Sequence, residues 1–242
     1  MTTITPAVLA RLRAVDTPTI CNVIELFEVR PRTAGYMDTR IRACFPDTPP
    51  IVGFAATATC RTAIEPRDGH DYHQGLAAQV ARFAELSGPP IVVFQDLDSP
   101  PRAATFGEIM CTTYKAFGAV GLITNGPGRD LDQVHRLGFP VFTDGAIVSH
   151  GYIQVMQFHV PIHVGGIPIY PDDLLHADVN GVTTIPNNIA AEVADSCADF
   201  LAAEEVLLAA MRGGNVTIQL LQEANAEKNA QIAALAKRIR KV

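Results

Sequence analysis

Lysine is almost missing from this chain. Lys228, Lys237 and Lys241 lie in the C-terminal tail, and only Lys115 lies outside it, in a segment that reads as mid-helix beside aromatic residues with no evident second base. Chemistry that needs an amine nucleophile therefore has one weak candidate. Cysteine is thin as well: Cys21, Cys44, Cys60, Cys111 and Cys197 are odd in number, widely spread and form no CxxC pair, which fits a reducing compartment better than a disulfide framework. Positive charge is in deficit, with a net charge of -6, so nothing electrostatic favours nucleic acid. The exception, Lys237-Arg238-Ile239-Arg240-Lys241, is short and reads as a solvated helix terminus. No uncharged run is long enough to span a bilayer, and Arg11, Arg13 and Asp16 interrupt the first twenty residues where a signal-peptide core would lie. These absences predict a cytoplasmic protein with neither a membrane nor a nucleic-acid partner.

What the chain has in quantity is apolar residues: 48% of its 242 residues are hydrophobic and 18% charged, enough to bury one domain and too few charges for disorder. Two short helices open it. One starts at Thr5-Pro6 with Val8, Leu9 and Leu12 on a face, the other at Thr17-Pro18 with a stripe of Ile20, Val23, Ile24 and Phe27. Arg30 to Pro50 reads as an irregular connection. Strands are predicted at Ile51 to Cys60 and Ile91 to Phe94, the second delivering Gln95 and Asp96 at its end, with a helix over Gly75 to Leu86 between them. Phe158 to Val164 alternates like a half-exposed strand, Leu174 to Ile185 reads as a hairpin, and Pro186 to Arg212 as an Ala-rich helix stopped by Gly213-Gly214. Beyond it, Ile218, Leu221, Ile232, Leu235, Ile239 and Val242 fall on three- and four-residue steps, with Asn225 and Lys228 at the intervening positions. Such a tail packs on its own domain or zips against a neighbouring subunit, and we read it as the second. The expected organisation is a domain over residues 1–212 and an amphipathic, heptad-like helix over 213–242.

The chemistry concentrates between Gly118 and Phe142. Ala119 to Thr124 suits a buried strand, Asn125-Gly126-Pro127-Gly128 breaks it, and Leu131, Val134 and Leu137 follow at helical spacing before Gly138 and Pro140 lead into a strand at Val141 to Thr143. The turn of this strand-turn-helix-strand unit carries Arg129 and Asp130, at the strand end where α/β proteins place ligands. Arg129 suits a carboxylate and Asp130 a hard cation. Equally, the two suit a surface ion pair beside a helix start. Gly107 precedes another helix; its missing side chain lets an anion approach free N–H groups, or simply marks a turn. Between Ile64 and His73, the cluster Glu65, Arg67, Asp68, His70, Asp71 and His73 reads as a solvated loop-to-helix junction rather than a metal site.

The run Asn125-Gly126-Pro127-Gly128-Arg129-Asp130, with Gly138-Phe139-Pro140-Val141-Phe142 after it, resembles the signature of the RraA-like family. That family includes the class II 4-hydroxy-4-methyl-2-oxoglutarate / 4-carboxy-4-hydroxy-2-oxoadipate aldolases. Gly107-Glu108-Ile109-Met110 resembles a family loop, and Pro171-Asp172-Asp173-Leu174-Leu175 with Ala177-Asp178-Val179-Asn180-Gly181-Val182 resembles its PGD…ADxDGV segment. The order is kept from about Thr17 to Ala194. Asp172 departs from the pattern, standing where Gly is usual, and leaves the tightness of that turn open. The resemblance implies an α/β fold, a β/β/α sandwich of the swivelling phosphohistidine-domain type, to which this chain adds a C-terminal helical extension. It implies a homotrimer or homohexamer with sites between subunits, and leaves open whether a neighbour's residue such as Glu192 completes each site. It further implies a metal on Asp130, substrate on Arg129 and the Gly107–Met110 loop against a pyruvoyl group.

Aldol cleavage needs a sink for the enolate, either a lysine Schiff base or a divalent metal. The lysine count disfavours the first, leaving Lys115 as its one weak candidate, and without zinc-like His/Cys spacing the second is expected to be Mg²⁺ or Mn²⁺. Asp96 and Glu108 are then candidates to orient the metal's waters. The expected reaction cleaves a 4-hydroxy-2-oxo acid to pyruvate and a second oxo acid, with Gly107, Glu108, Ile109, Met110 and Arg129 holding the substrate, and with oxaloacetate decarboxylase side activity through the same enolate. Two alternatives stand beside it. One is a non-catalytic binder of the ribonuclease E inhibitor type on the same fold. The other is a metal-dependent lyase or hydrolase for a different oxo acid, its distal end read around Arg67–His73 and Arg102.

Overall fold

The computed structural model describes residues 4–67 and 72–240, and only the backbone of Tyr72, His73 and Gln74. Asp68, His70, Asp71 and the His73 side chain of the titratable cluster lie outside the described residues, as does Val242 of the tail stripe. Thr5 and Asp16 cap the first two helices, α1 (Pro6–Arg13) and α2 (Thr17–Leu26), by accepting the N–H groups of Val8 and Thr19 at 3.3 and 2.8 Å. The chain continues through β1 (Arg42–Ala43), β2 (Ile51–Arg61), α3 (Tyr72–Ala81), β3 (Pro90–Asp96), α4 (Glu108–Ala116), β4 (Gly121–Thr124), α5 (Leu131–Arg136) and β5 (Val141–Thr143). Then come β6 (Gln154–Phe158), β7 (Ile162–Val164), β8 (Ile167–Ile169), β9 (Leu174–Asp178), β10 (Gly181–Ile185), α6 (Ala190–Arg212) and α7 (Ile218–Ile239). Two compact units result, a sheet unit of Thr33–Asn187 and a helical unit of Met1–Arg32 with Asn188–Val242. The units divide there, whereas residues 212 and 213 mark the break between α6 and α7.

In the sheet unit, β2, β3, β4 and β5 are parallel neighbours, joined by the crossovers that contain α3, α4 and α5. Antiparallel strands complete the sheet: β1 on β5, β9 on the first half of β2, β10 on β9, and β6 on the last residues of β2. Period-two alternation divides the apolar side chains between two layers. Val92, Phe94, Ala56, Ala58 and Leu122 face the helices, where Met110, Tyr114 and Val134 meet them. Ile91, Val93, Ala55, Ile123 and Phe142 face the β7-β8 hairpin through Ile162, Val164 and Ile169. Helices, sheet and second β layer make the expected β/β/α sandwich. Burying each large side chain of these layers contributes about 1.5–3 kcal/mol. The hydroxyl that Tyr114 carries into the helix layer is satisfied: it donates to Gln79 Oε1 at 2.6 Å.

Three details bear on the expectations. The strand predicted over Phe158 to Val164 is broken, because His159 takes a left-handed conformation (φ 49°) and Pro161 offers no N–H, so the chain leaves β2 at Phe158 and re-forms in the second layer at Ile162. Asp172 adopts the left-handed conformation a glycine would take there (φ 67°) and ties the turn down by accepting the Ser87 N–H and Oγ–H at 2.8 and 2.6 Å. In the helical unit, α7 packs against α6 of its own chain, burying Ala224 and Leu235 and pairing Arg238 with Asp199. Ile218 and Leu221 in its first turns stay exposed. Among the described residues no helix is long and apolar enough to cross a membrane, and all five cysteines are free thiols.

Candidate active site

The site forms where two loops at the C-terminal edge of the parallel strands run side by side. Thr105 N–H donates to the Pro127 carbonyl at 2.8 Å and Arg129 N–H to the Phe106 carbonyl at 3.1 Å, a short parallel bridge between the segment before α4 and the turn after β4. Gly128 permits it, since a Cβ there would collide with the Phe106 ring. Asn125 clips the same turn to the end of β3, accepting the Asp96 N–H at 2.7 Å and donating to the Asp96 carbonyl at 3.1 Å.

The bridge sets Gly107 against Arg129 and Asp130. Asp130, in the left-handed region at φ 56°, turns its Oδ2 back to accept the Glu108 N–H at 3.1 Å, and Arg129 Nε lies 3.7 Å from the same oxygen. Gly107 caps α4 without a side chain, and Cys111 N–H already bonds the Gly107 carbonyl. Of the first-turn donors, Ile109 and Met110 N–H thus remain without a partner among the described residues, at the positive end of the helix. These donors border a cavity of about 410 Å³. Gly107, Ile109, Met110, Arg129 and Asp130 line it from one side of the sequence; His150, Gly151, Tyr152 and Ile153, from the loop before β6, also line it.

The structure thus brings together Gly107, Ile109, Met110, Arg129 and Asp130. Glu108 takes part through its N–H, while its carboxylate is exposed and not part of the lining. Asp96 is not part of the lining either: it is 4% exposed, its Oδ1 accepts the Asp98 N–H at 2.9 Å, and its Oδ2 is buried beside Gly126 with no partner. Burial pushes its carboxyl up to about 6. Lys115 stands at the last turn of α4, its Nζ on the Leu137 carbonyl, outside the lining. Burial pushes the thiols of Cys60 and Cys111 upward, which leaves them unreactive. Arg67 and Arg102 are exposed and outside the lining, and Glu192 lies in the first turn of α6 in the helical unit.

Among the described residues no three His, Cys, Asp or Glu side chains converge as a metal cluster. Asp130 nonetheless fits a hard, hydrated cation: it is one-third exposed at the cavity, and its Oδ1 carries no hydrogen bond among the described residues. One carboxylate with water in the remaining positions is the usual holding of Mg²⁺.

A family model, Aldolase/RraA of the RraA-like proteins, matches residues 17–184. The chain belongs to the RraA-like family. A relative from Halalkalibacterium halodurans, whose name assigns it only provisionally as a 4-hydroxy-4-methyl-2-oxoglutarate aldolase, is 33% identical over 46% of this chain and 52% of that protein. Protein DlpA of Legionella pneumophila is 25% identical over 54% of this chain and 22% of its own length. The chain therefore spans about half of the first relative and less of the second. Among solved structures, an uncharacterized protein from Pseudomonas syringae pv. tomato superposes at TM-score 0.71 with 23% identity, covering 93% of this chain and 95% of that one. Streptomyces coelicolor RraAS2, described as an unusual member of the RNase ES inhibitor RraA protein family, superposes at 0.67 with 24% identity, over 86% and 98%. These superpositions show the RraA-like fold alone.

Sequence reasoning missed the wall that His150 to Ile153 contributes to the RraA-like cavity. His150 Nδ1 lies 2.7 Å from the Gly151 carbonyl, which can only accept, so Nδ1 carries a proton and Nε2 is the ring nitrogen not engaged there. The one local signal was Gly151 itself, left-handed at φ 49°.

Proposed function

We propose that this RraA-like chain is a divalent-metal-dependent lyase of the class II aldolase type, cleaving a 4-hydroxy-2-oxo acid to pyruvate and a second carbonyl compound. The observation that carries the reading is the convergence of two free α4 amides and Arg129 on a cavity beside a carboxylate with one unengaged oxygen. Ile109 and Met110 N–H and the Arg129 guanidinium receive the substrate carboxylate and the charge that grows on the C2 oxygen. Asp130 would hold Mg²⁺ or Mn²⁺, which when bound supplies Lewis-acid stabilisation of that charge. His150 Nε2 accepts the C4 hydroxyl proton; C4–O becomes a carbonyl, and the C3–C4 electron pair passes into the enolate of pyruvate. The His150 imidazolium returns the proton to C3. Decarboxylation of oxaloacetate passes through the same enolate and is the expected side activity.

A second reading, a protein-binding regulator such as the RNase inhibition named for the Streptomyces relative, draws on Ile64 and Val148, 62% and 92% exposed near the cavity-lining residues Pro66 and His150 in sequence. The deciding experiment measures pyruvate release from 4-hydroxy-4-methyl-2-oxoglutarate, 4-hydroxy-4-methyl-2-oxopentanoate and oxaloacetate, with Mg²⁺, with chelator, and in Arg129→Ala and Asp130→Ala. Metal-dependent release lost in both variants is the expected result. A folded protein that releases pyruvate from none of them with Mg²⁺ or Mn²⁺ supports the second reading instead.

A further inference from the structure

The cavity wall bears on which oxo acid enters. Beyond the carboxylate cradle, the lining is Pro66, Ala104, Phe106, Ile109, Met110 and Ile153, with the half-exposed ring of Tyr152. Among the described lining residues Arg129 is the only permanent cation, and the cradle uses it. His150, also in the lining, spends its Nδ1 proton on the Gly151 carbonyl at 2.7 Å. A second carboxylate on the substrate would leave water for an apolar wall, with no cation beyond Arg129 among the described lining residues and with Asp130 in the same cavity. The space itself is generous: 410 Å³ corresponds to roughly a dozen waters at about 30 Å³ each, more than a pyruvoyl group fills.

We infer that the cavity selects a monocarboxylic 2-oxo acid whose C4 carries apolar groups, packed against Ile109, Met110, Ile153 and Tyr152. The inference deepens the lyase reading and rests on it for the reaction: cleavage then yields pyruvate and an uncharged ketone or aldehyde, so this chain follows a reaction that joins or hydrates such a carbon skeleton. A methylene seated in an apolar pocket is worth about 10-fold or more in selectivity, and the unpartnered carboxylate of a competitor widens the gap.

The test is calorimetric titration of the full chain in Mg²⁺ with two 2-oxo acids that lack the 4-hydroxyl and cannot undergo the cleavage, 4-methyl-2-oxopentanoate and 2-oxoglutarate. The branched acid should bind at least about tenfold tighter. Ile109→Arg, at a lining position 66% exposed and so tolerant of the change, should narrow or invert the ratio. Equal affinities, a preference for 2-oxoglutarate, or no binding of either overturns the inference. Pyruvate release from the 4-hydroxy acids is read separately: preferential binding without release sinks the lyase reading and leaves the apolar-tail assignment standing, whereas release together with a preference for 2-oxoglutarate does the reverse.

Discussion

Replacing Gly107 by Ala tests the cradle where it has least room. The added Cβ would stand 2.7 Å from Asp130 Oδ2 and 3.2 Å from Arg129 Nε, so one of the two side chains must move. The backbone supplies no cost of its own: Gly107 is extended, at φ -158° and ψ -170°, and trading Gly for Ala there favours the fold by about 0.4–1 kcal/mol through the unfolded chain. Overpacking opposes this by about 1–3 kcal/mol, toward the low end because both side chains are one-third exposed and can swing outward. Net destabilisation of about 0.5 kcal/mol follows. Activity should respond far more. A displaced Asp130 gives up the Glu108 N–H, a displaced Arg129 leaves the anion site, and an ångström of misplacement costs about 10²-fold. Urea denaturation and pyruvate release, measured side by side on Gly107→Ala, therefore give a small change and a large one. Wild-type turnover in the variant would refute the reasoning, because the spacing at Gly107 would then not matter; a stability loss well above about 3 kcal/mol would show a scaffold position instead.

Asp130→Asn keeps a side chain that tolerates the left-handed region and an acceptor for the Glu108 N–H, but removes the charge; thermal melts should stay within a few degrees of wild type while turnover is lost. Asp130→Ala should lose turnover too and, with no polar side chain to favour φ 56°, cost a further ~1–2 kcal/mol. Asp172→Ala gives up both Ser87 bonds while keeping the unfavourable φ and should cost about 2–3 kcal/mol in urea titration, with Asp172→Gly about 1 kcal/mol milder; equal losses would mean the φ carries no strain. The Asp96 carboxyl, pushed up to about 6 by burial, stabilises the fold only while protonated. Because the folded protein holds that proton above the ordinary carboxylate pKa of about 4, stability falls as pH rises from about 4 to 6, by up to about 3 kcal/mol at ~1.4 kcal/mol per pH unit. Asp96→Asn should flatten that slope, and an unchanged slope would show that the group is not buried alone.

Elements with local signals are legible in the sequence. The run before Asn125, the glycines and proline of the turn, and the 3.6-residue spacing of Leu131, Val134 and Leu137 are all contained in one window, and β4, α5 and β5 appear where that window puts them. Where a tertiary contact decides, the reading fails. Phe158 to Val164 alternates well enough for one strand, yet Thr57 takes its two ends apart, accepting the His159 N–H with its carbonyl and donating its hydroxyl to the Val160 carbonyl at 2.8 and 2.7 Å. Pro161 is the local signal against one strand, but nothing within the segment encodes Thr57.

The candidate site divides along the same line. Asp96 ends β3 and Asp130 follows the turn after β4, and a rule that ligands collect at strand ends cannot separate them. Strand parity separates them in part: Gln95 faces the second layer, where it accepts the His163 N–H at 2.9 Å, so Asp96 must face the helix layer, and there Gly126 and Thr105 close over it. Asp130 escapes the same burial because its left-handed backbone turns the carboxylate out toward Gly107. The pairing of that turn with the segment before α4 depends on Gly128, whose added Cβ would enter the Phe106 ring. A glycine outside a helix can thus mark that some segment passes closer than a side chain allows, as Gly107 and Gly128 do here. Its partner, 22 residues away in the contact between Glu108 and Asp130, becomes visible only when both loops are in place.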